Sequence, residues 1–371
     1  DRFNLTDSLL AAIGTWSLGL GVMLVHTLKV KIAIILGIVI GLGLWTKSPA
    51  LEFFLLLPSL IVLLDYKKVD WKKQIVRYAI LLGVVFVVSR FIYEFIVLLP
   101  QAYVISLKNL EFVIPISQLI KNPLIFFVGN FRALSVWTLT YLTWPMWILV
   151  LVSVFFGIKQ KSFPKLILWG YFFSHFFFMV FFSKVIYPRF LLMFFPLILI
   201  LAAKGLGDIS GIVKNKLTVI ALVVLISIVP LYTDWKILTD PVNASIANTD
   251  SAQYLNSWSA GFGINQVRDF LALESAKNKK VVVGMEGTFG LLPYALELYY
   301  SRYPNLEMKP IWPEPDTLPK DLVEKSQIAP VFYIVYQREK IPFENKLQLI
   351  AKYRQGNSDS YLKLYKLIPN N

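Results

Sequence analysis

Four ionisable side chains stand at the margins of long apolar runs: Asp7, Lys47, Lys184 and Arg189. Lys47 lies in Thr46-Lys47-Ser48-Pro49, between the apolar runs 32–45 and 51–64, and Lys184 and Arg189 bound the turn 184–189. An ionisable group so close to hydrocarbon is expensive, which makes a functional role the default reading. Cations placed there can hold an anion and stabilise negative charge as it develops. Arg189 suits bidentate contact and Lys47 acts as a compact point charge. Asp7 can orient a polar partner, or meet the positive end of a helix dipole as an N-terminal cap. For the cations the competing reading is interfacial anchoring, with the charged heads reaching for water.

The remaining ionisable groups divide between structure and site. Arg90 and Glu94 are four residues apart and can pair on one helical face, as a structural pair or as the lining of a cavity. Glu52, just after Pro49, invites the same two readings. His26 and His175 are the only histidines; His175, among Phe172, Phe173, Phe176, Phe177 and Phe178, reads as hydrogen-bonded between helices, and no metal site is built on either. Gly284-Met285-Glu286-Gly287-Thr288-Phe289-Gly290 sits where a strand hands over to a helix, a position that can cradle phosphate. It lacks the dinucleotide pattern and the Walker lysine, so a tight turn is the plainer reading, with contact to an acceptor as the other. Gly37 and Gly41 form a small-xxx-small pair suited to helix packing.

These residues are carried by a chain of 371 residues that is 56% hydrophobic with net charge +14. Such an apolar fraction, with runs approaching membrane-helix length, predicts a polytopic α-helical membrane protein. The basic excess then belongs to loops rather than to nucleic acid. Cysteine is absent, which excludes disulfides, thiolate metal sites and cysteine nucleophiles. About eight transmembrane helices are expected, at 7–26, 31–45, 50–64, 74–99, 141–157, 165–183, 190–203 and 217–232. The loops after the first, third, fifth and seventh carry Lys29 and Lys31; Lys67, Lys68, Lys72, Lys73 and Arg77; Lys159, Lys161 and Lys165; and Lys204, Lys214 and Lys216. This alternation puts those loops in the cytoplasm and Asp7, Lys47, Lys184 and Arg189 on the external side. The connection 100–140 holds an apolar stretch, 114–128, interrupted by Asn122-Pro123; it reads as a re-entrant or interfacial helix, with a ninth span as the competitor.

Two domains are expected: a membrane domain over 1–232 and an external α/β domain over 233–371. In the second, 265–277, 291–300 and 320–325 have helical spacing, while 280–285 and 331–336 are apolar strands. Proline-rich 310–319 reads as a connection, and 347–353 with 361–367 as a closing hairpin.

Three stretches resemble the polyprenol-phosphate-sugar glycosyltransferases of the GT-C fold, among them bacterial protein mannosyltransferases and lipid A aminoarabinose transferases. Arg2-Phe3-Asn4-Leu5-Thr6-Asp7-Ser8-Leu9-Leu10 resembles that family's Arg-x-x-x-x-Asp-x-x-Leu. Gly41-Leu42-Gly43-Leu44-Trp45-Thr46-Lys47-Ser48-Pro49 resembles its Leu-x-Thr-Lys-Gly-Pro turn, with Ser48 in place of glycine. Tyr187-Pro188-Arg189-Phe190, with Pro196 and Ala202-Ala203-Lys204-Gly205 downstream, resembles its Arg-Tyr-leading helix, with Phe190 in place of tyrosine. The stretch Tyr254–Gly263 is similar to the start of the external domain in some bacterial relatives.

The resemblance implies transfer of a sugar from a polyprenyl-phosphate carrier to a protein, lipid or glycan acceptor on the external face of the plasma membrane, with inversion. Asp7 would be catalytic, and Lys47, Arg189 and Lys184 would bind the donor phosphate, with Arg90 and Glu94 as cavity lining. No cofactor is implied with certainty, and a divalent metal is left open near Asp7. The family's first external loop, which carries the carboxylate assigned as general base, is expected upstream of residue 1, so the chain reads as lacking an N-terminal part. Two other classes are carried forward: a transporter or flippase of lipid-linked glycans, and a non-catalytic assembly protein whose external domain binds a partner.

Overall fold

The computed structural model describes residues 6–213, 215–257, 260–287, 292–300, 303–336 and 338–368. The chain divides into two compact units, Asp1–Trp235 and Lys236–Asn371.

The first unit is helical. It opens with a helical hairpin, α1 (Asp7–Thr27) and α2 (Val30–Thr46), reversed at Leu28, which adopts a left-handed conformation (φ 50°). A segment of mixed pitch follows: a 3-10 turn at Ser48–Ala50, α3 (Leu51–Leu56) and a second 3-10 stretch at Leu57–Leu63. Pro58 is the reason for the change in pitch, since it lacks the N–H that an α-helix would use. Carbonyls at the break find hydroxyls instead: Tyr171 donates to Leu56 O at 2.7 Å and Tyr78 to Leu57 O at 2.7 Å. A broken helix survives in hydrocarbon only when neighbours satisfy its backbone in this way.

After α4 (Trp71–Val97) come two short helices, α5 (Tyr103–Phe112) and α6 (Ile116–Lys121). Next are α7 (Phe127–Leu142) and α8 (Trp144–Lys159), bent by 101° at Thr143. The last three are α9 (Phe163–Phe182), α10 (Phe195–Ile212) and α11 (Lys216–Thr239).

Five of these helices, α1, α4, α9, α10 and α11, are long and apolar enough to cross a membrane, and the bent pair α7–α8 makes a sixth if it forms one span. This is fewer than the eight expected. The segments expected as the second and third spans are Val30–Thr46 and Ser48–Leu63, both short. The first has 17 residues, which rise about 26 Å against a hydrocarbon core of roughly 30 Å. The stretch 114–128 is not one continuous helix: α6 ends at Lys121, before Asn122-Pro123, and α7 starts afresh at Phe127.

Close helix packing follows from the small residues. A Cβ on Gly37 would lie 2.7 Å from Val88 Cβ, and one on Gly41 2.8 Å from Ile92 Cβ, so α2 and α4 approach through the pair read as a packing motif. Gly205 admits α10 to α8 so closely that a Cβ would stand 1.9 Å from Leu149 O.

The second unit is a five-stranded sheet with strand order β2-β1-β3-β5-β4. A short helix α12 (Asn248–Ser251) leads to α13 (Ile264–Lys277), β1 (Val281–Glu286), α14 (Tyr294–Tyr300), β2 (Leu306–Ile311), α15 (Lys320–Ser326) and β3 (Val331–Tyr336). The hairpin β4 (Leu347–Arg354) and β5 (Tyr361–Leu367) closes it. β2 and β3 flank β1 in parallel, and β5 joins β3 antiparallel. Helices cover both faces: Val267 and Leu271 of α13 and Leu296 of α14 pack with Val281, Val283 and Met285, while Leu322 of α15 packs with Val282 and Tyr333. β2 falls inside and just before the stretch read as a proline-rich connection. It is an edge strand, where Pro310 removes no interior ladder bond.

Candidate functional site

Asp7 lies in the first turn of α1, Lys47 directly after the last residue of α2, and Arg189 in the 3-10 turn Pro188–Met193 that links α9 to α10. The α1–α2 reversal brings the start of one helix beside the end of the next, and the Pro188–Met193 turn packs against α1. The three side chains therefore meet. Lys47 Nζ donates to Asp7 Oδ1 at 2.6 Å, and Arg189 Nε stands 3.7 Å from Asp7 Oδ2. Asp7 is 5% exposed, whereas Lys47 and Arg189 remain partly accessible.

Aromatic rings hold the cations. Lys47 Nζ lies 4.6 Å from the centroid of Phe190, and the Arg189 guanidinium 4.3 Å from that of Tyr187 and 5.6 Å from that of Phe190. Ring faces attract cations while supplying no counter-charge. Among the described residues the cluster sets two cations around one carboxylate. Both cations keep part of their surface open, where they can offer charge-assisted hydrogen bonds to an anion.

A second pair supports the first. His175, in the middle of α9, places Nδ1 2.7 Å from Glu52 Oε2 and Nε2 3.0 Å from Phe190 O. A carbonyl oxygen only accepts, so Nε2 carries a hydrogen, and the Nδ1–Oε2 contact then needs one further proton shared between ring and carboxyl. This pins the backbone of Phe190, whose ring faces both Lys47 and Arg189. The reading of His175 as a hydrogen-bonding residue between helices and that of Glu52 as structural meet in one contact, which links residues 123 positions apart.

The other expected residues stand elsewhere. Lys184 is exposed; its backbone N–H bonds Phe112 O, and no described contact joins its ammonium to the cluster. Arg90 and Glu94 form their i,i+4 ion pair at 2.5 Å on α4, with both side chains half-exposed and Arg90 also over the Tyr93 ring. His26 lies in the last turn of α1, at the opposite end from Asp7. Arg2 and its neighbours through Leu5 lie outside the described residues, as do Trp258 and Ser259 of the stretch 254–263 and Thr288 to Gly290 of the glycine-bearing turn. Among the described residues no three His, Asp or Glu side chains form a metal-binding group.

Two features had no local signal in the sequence. Asn130 of α7 donates to the carbonyls of Met179, Val180 and Ser183 at 2.8–3.3 Å, closing off the C-terminal end of α9. Lys165 and Asp208 pair through both carboxylate oxygens at 2.7 Å, and both side chains are nearly buried. Lys165, expected in a basic loop, stands in the first turn of α9. Compared with known proteins, the chain matches no protein-family model, no curated protein and no solved structure.

Proposed function

We propose that the chain acts as a membrane glycosyltransferase that moves a sugar from a polyprenyl-phosphate carrier to an acceptor at the external membrane surface. The observation that carries this reading is the cation-rich cluster of Asp7, Lys47 and Arg189, drawn from three separate apolar segments. Each of the three falls in a stretch that resembles the GT-C transferases, and their meeting in space does not follow from their being so placed in the sequence.

In this mechanism Lys47 and Arg189 hold the donor phosphate. As the bond from the sugar carbon to the phosphate oxygen breaks, the phosphate gains a full negative charge, and the two cations stabilise it. Asp7 orients the two cations; by the resemblance, the proton of the acceptor passes to the carboxylate of the family's first external loop. Glu52 and His175 hold Phe190 in place behind the cations. The alternation of basic loops supports the external side for the site, and the apolar helices support the membrane location.

Binding of a radiolabelled polyprenyl phosphate to the detergent-solubilised chain tests this. Charge-assisted contacts of about 1.5–3 kcal/mol predict a loss of roughly 10- to 100-fold for Arg189→Ala or Lys47→Ala, with uncharged polyprenol unaffected. Equal binding of polyprenol and polyprenyl phosphate by the wild type, or undiminished binding in both variants, would overturn the assignment.

A further inference from the structure

The helix α4, long and apolar enough to cross a membrane, carries a charge pair on its open side. Its inner face packs on α2, where Val88 and Ile92 fill the notches at Gly37 and Gly41. The two helices therefore run in the same direction. Arg90, between Val88 and Ile92, stands level with the middle of α2, which has no ionisable side chain between Lys31 and Lys47. Thr46, the nearer end of α2, is about 9 Å further along the axis.

At about 100° per residue, Arg90 and Glu94 lie directly opposite the α2 contact, on one stripe with Val76, Gly83, Val87 and Val97. The stripe is open: Val76 and Val87 are 59% and 64% exposed, and a Cβ on Gly83 would meet nothing within 4 Å. Arg90 Nη2 and Glu94 Oε1 are 2.5 Å apart, and neither has another ion-pair partner among the described residues. One carboxylate cannot satisfy the five N–H donors of a guanidinium. Ionisable groups at such depth face protein or a polar cavity rather than lipid. A half-exposed ion pair beside the middle of an apolar helix therefore calls for a partner over this face.

We propose that the partner is a second copy of the chain, packed α4 against α4 about a two-fold axis along the membrane normal. The charge pattern selects this occupant because it is complementary to itself. In two parallel helices related by such an axis, like residues stand level. Arg90 and Glu94 are one turn apart, about 6 Å along the axis, so Arg90 of each copy can reach Glu94 of the other. The four charges sum to zero, and each guanidinium gains a second carboxylate. Two turns away, Gly83 lets the backbones approach. The dimer does not depend on the donor-binding role of Asp7, Lys47 and Arg189.

Cysteine cross-linking in native membrane vesicles tests it, and the chain contains no cysteine of its own. Gly83→Cys and Val87→Cys should form disulfide-linked dimers under mild oxidation. Phe95→Cys, also exposed but a third of a turn off the stripe, should give at least about fivefold less. In the Gly83→Cys background, Arg90→Glu gives one copy two acidic groups and Glu94→Arg gives another two cations. Each alone should lower cross-linking about tenfold, and the two co-expressed with different tags should restore it as the mixed dimer. A purely intrahelical role for the pair predicts no such restoration. Equal yields from Gly83→Cys and Phe95→Cys, cross-linking indifferent to the charge changes, or no mixed dimer would overturn the proposal. So would a Gly83→Cys chain that stays monomeric and reacts with a membrane-impermeant maleimide, which would assign the stripe to a water-filled cavity. Cross-linking of Gly83→Cys to a chain of another mass would likewise replace the second copy by a different partner.

Discussion

Two ion clusters between helices of the membrane unit, Lys165 with Asp208 and Asp7 with Lys47 and Arg189, differ in their access to solvent. Lys165 and Asp208 neutralise each other through two hydrogen bonds of 2.7 Å, with side chains 11% and 13% exposed. Asp7 is as buried but faces two cations, both partly accessible. The first pair is closed: every charge has its partner and nothing is left over to attract a ligand. The second gathers two cations around one buried carboxylate, with aromatic rings against both cations. Distance alone would not tell them apart, since both have a lysine within 2.7 Å of an aspartate. Access does.

The largest effect should come from opening the closed pair. Lys165→Met leaves Asp208 buried without its counter-charge, a loss of about 3–5 kcal/mol, whereas Lys165→Met with Asp208→Leu should return to within roughly 1 kcal/mol of wild type. Unfolding in mixed detergent micelles measures both. At the open cluster, Arg189→Ala should destabilise far less, because Asp7 keeps Lys47, while binding of polyprenyl phosphate collapses. A reversed outcome, with Lys165→Met harming lipid-phosphate binding at unchanged stability, would erase the distinction drawn between them.

A smaller effect tests the layer behind the open cluster. Glu52→Gln keeps the shape of the residue but removes the carboxylate facing His175, and Phe190 loses part of its anchor. Lipid-phosphate affinity should fall about three- to tenfold, and His175→Phe should match it. The combined variant should be no worse than either alone, as expected for one coupled unit. Additive losses would mean that the two residues act separately.

Much of this arrangement was legible in the sequence, and the exceptions have physical causes. Asp7, Lys47 and Arg189 stood out because ionisable groups are rare beside hydrocarbon, and α4, β3 and the closing hairpin followed from periodicity. Lys184 carried the same signal as Arg189 but does not join the cluster: a loop position fixes the backbone, not the reach of the side chain. Apolarity does not reveal the pitch change at Pro58 or the shortness of α2, so the second and third expected spans are shorter than the other candidates. β2 was hidden because an edge strand can be polar and contain proline, the two properties by which sequence reading rejects strands. The contacts of Glu52 with His175 and of Lys165 with Asp208 join residues distant in the chain, so no local pattern announces either.

The smallest expected effect sharpens the criterion, because several cations also gather around a carboxylate where no site is read. Glu307 on β2 meets Lys280 at 2.9 Å, Lys309 at 3.7 Å and Lys325. These lysines, by hydrogen bonds from Lys325 first and then Lys280, hold its carboxyl down at about 2. A carboxylate lowered in the folded state adds stability that is complete above its unfolded value of 4.5 and is lost as pH falls toward 2. The cluster lies at the surface, however, where water and salt screen the attraction, so the contribution is below about 1 kcal/mol. Hydrogen exchange of the β2 amides should lose protection slightly between pH 4.5 and pH 2, and Glu307→Gln should flatten that dependence. Glu286 titrates in the opposite sense: burial raises its carboxyl, so its share favours the fold at low pH and fades as pH rises through the raised value. Several cations around an exposed carboxylate therefore yield only weak surface pairs, and it is the seclusion of Asp7 that sets its cluster in the membrane unit apart.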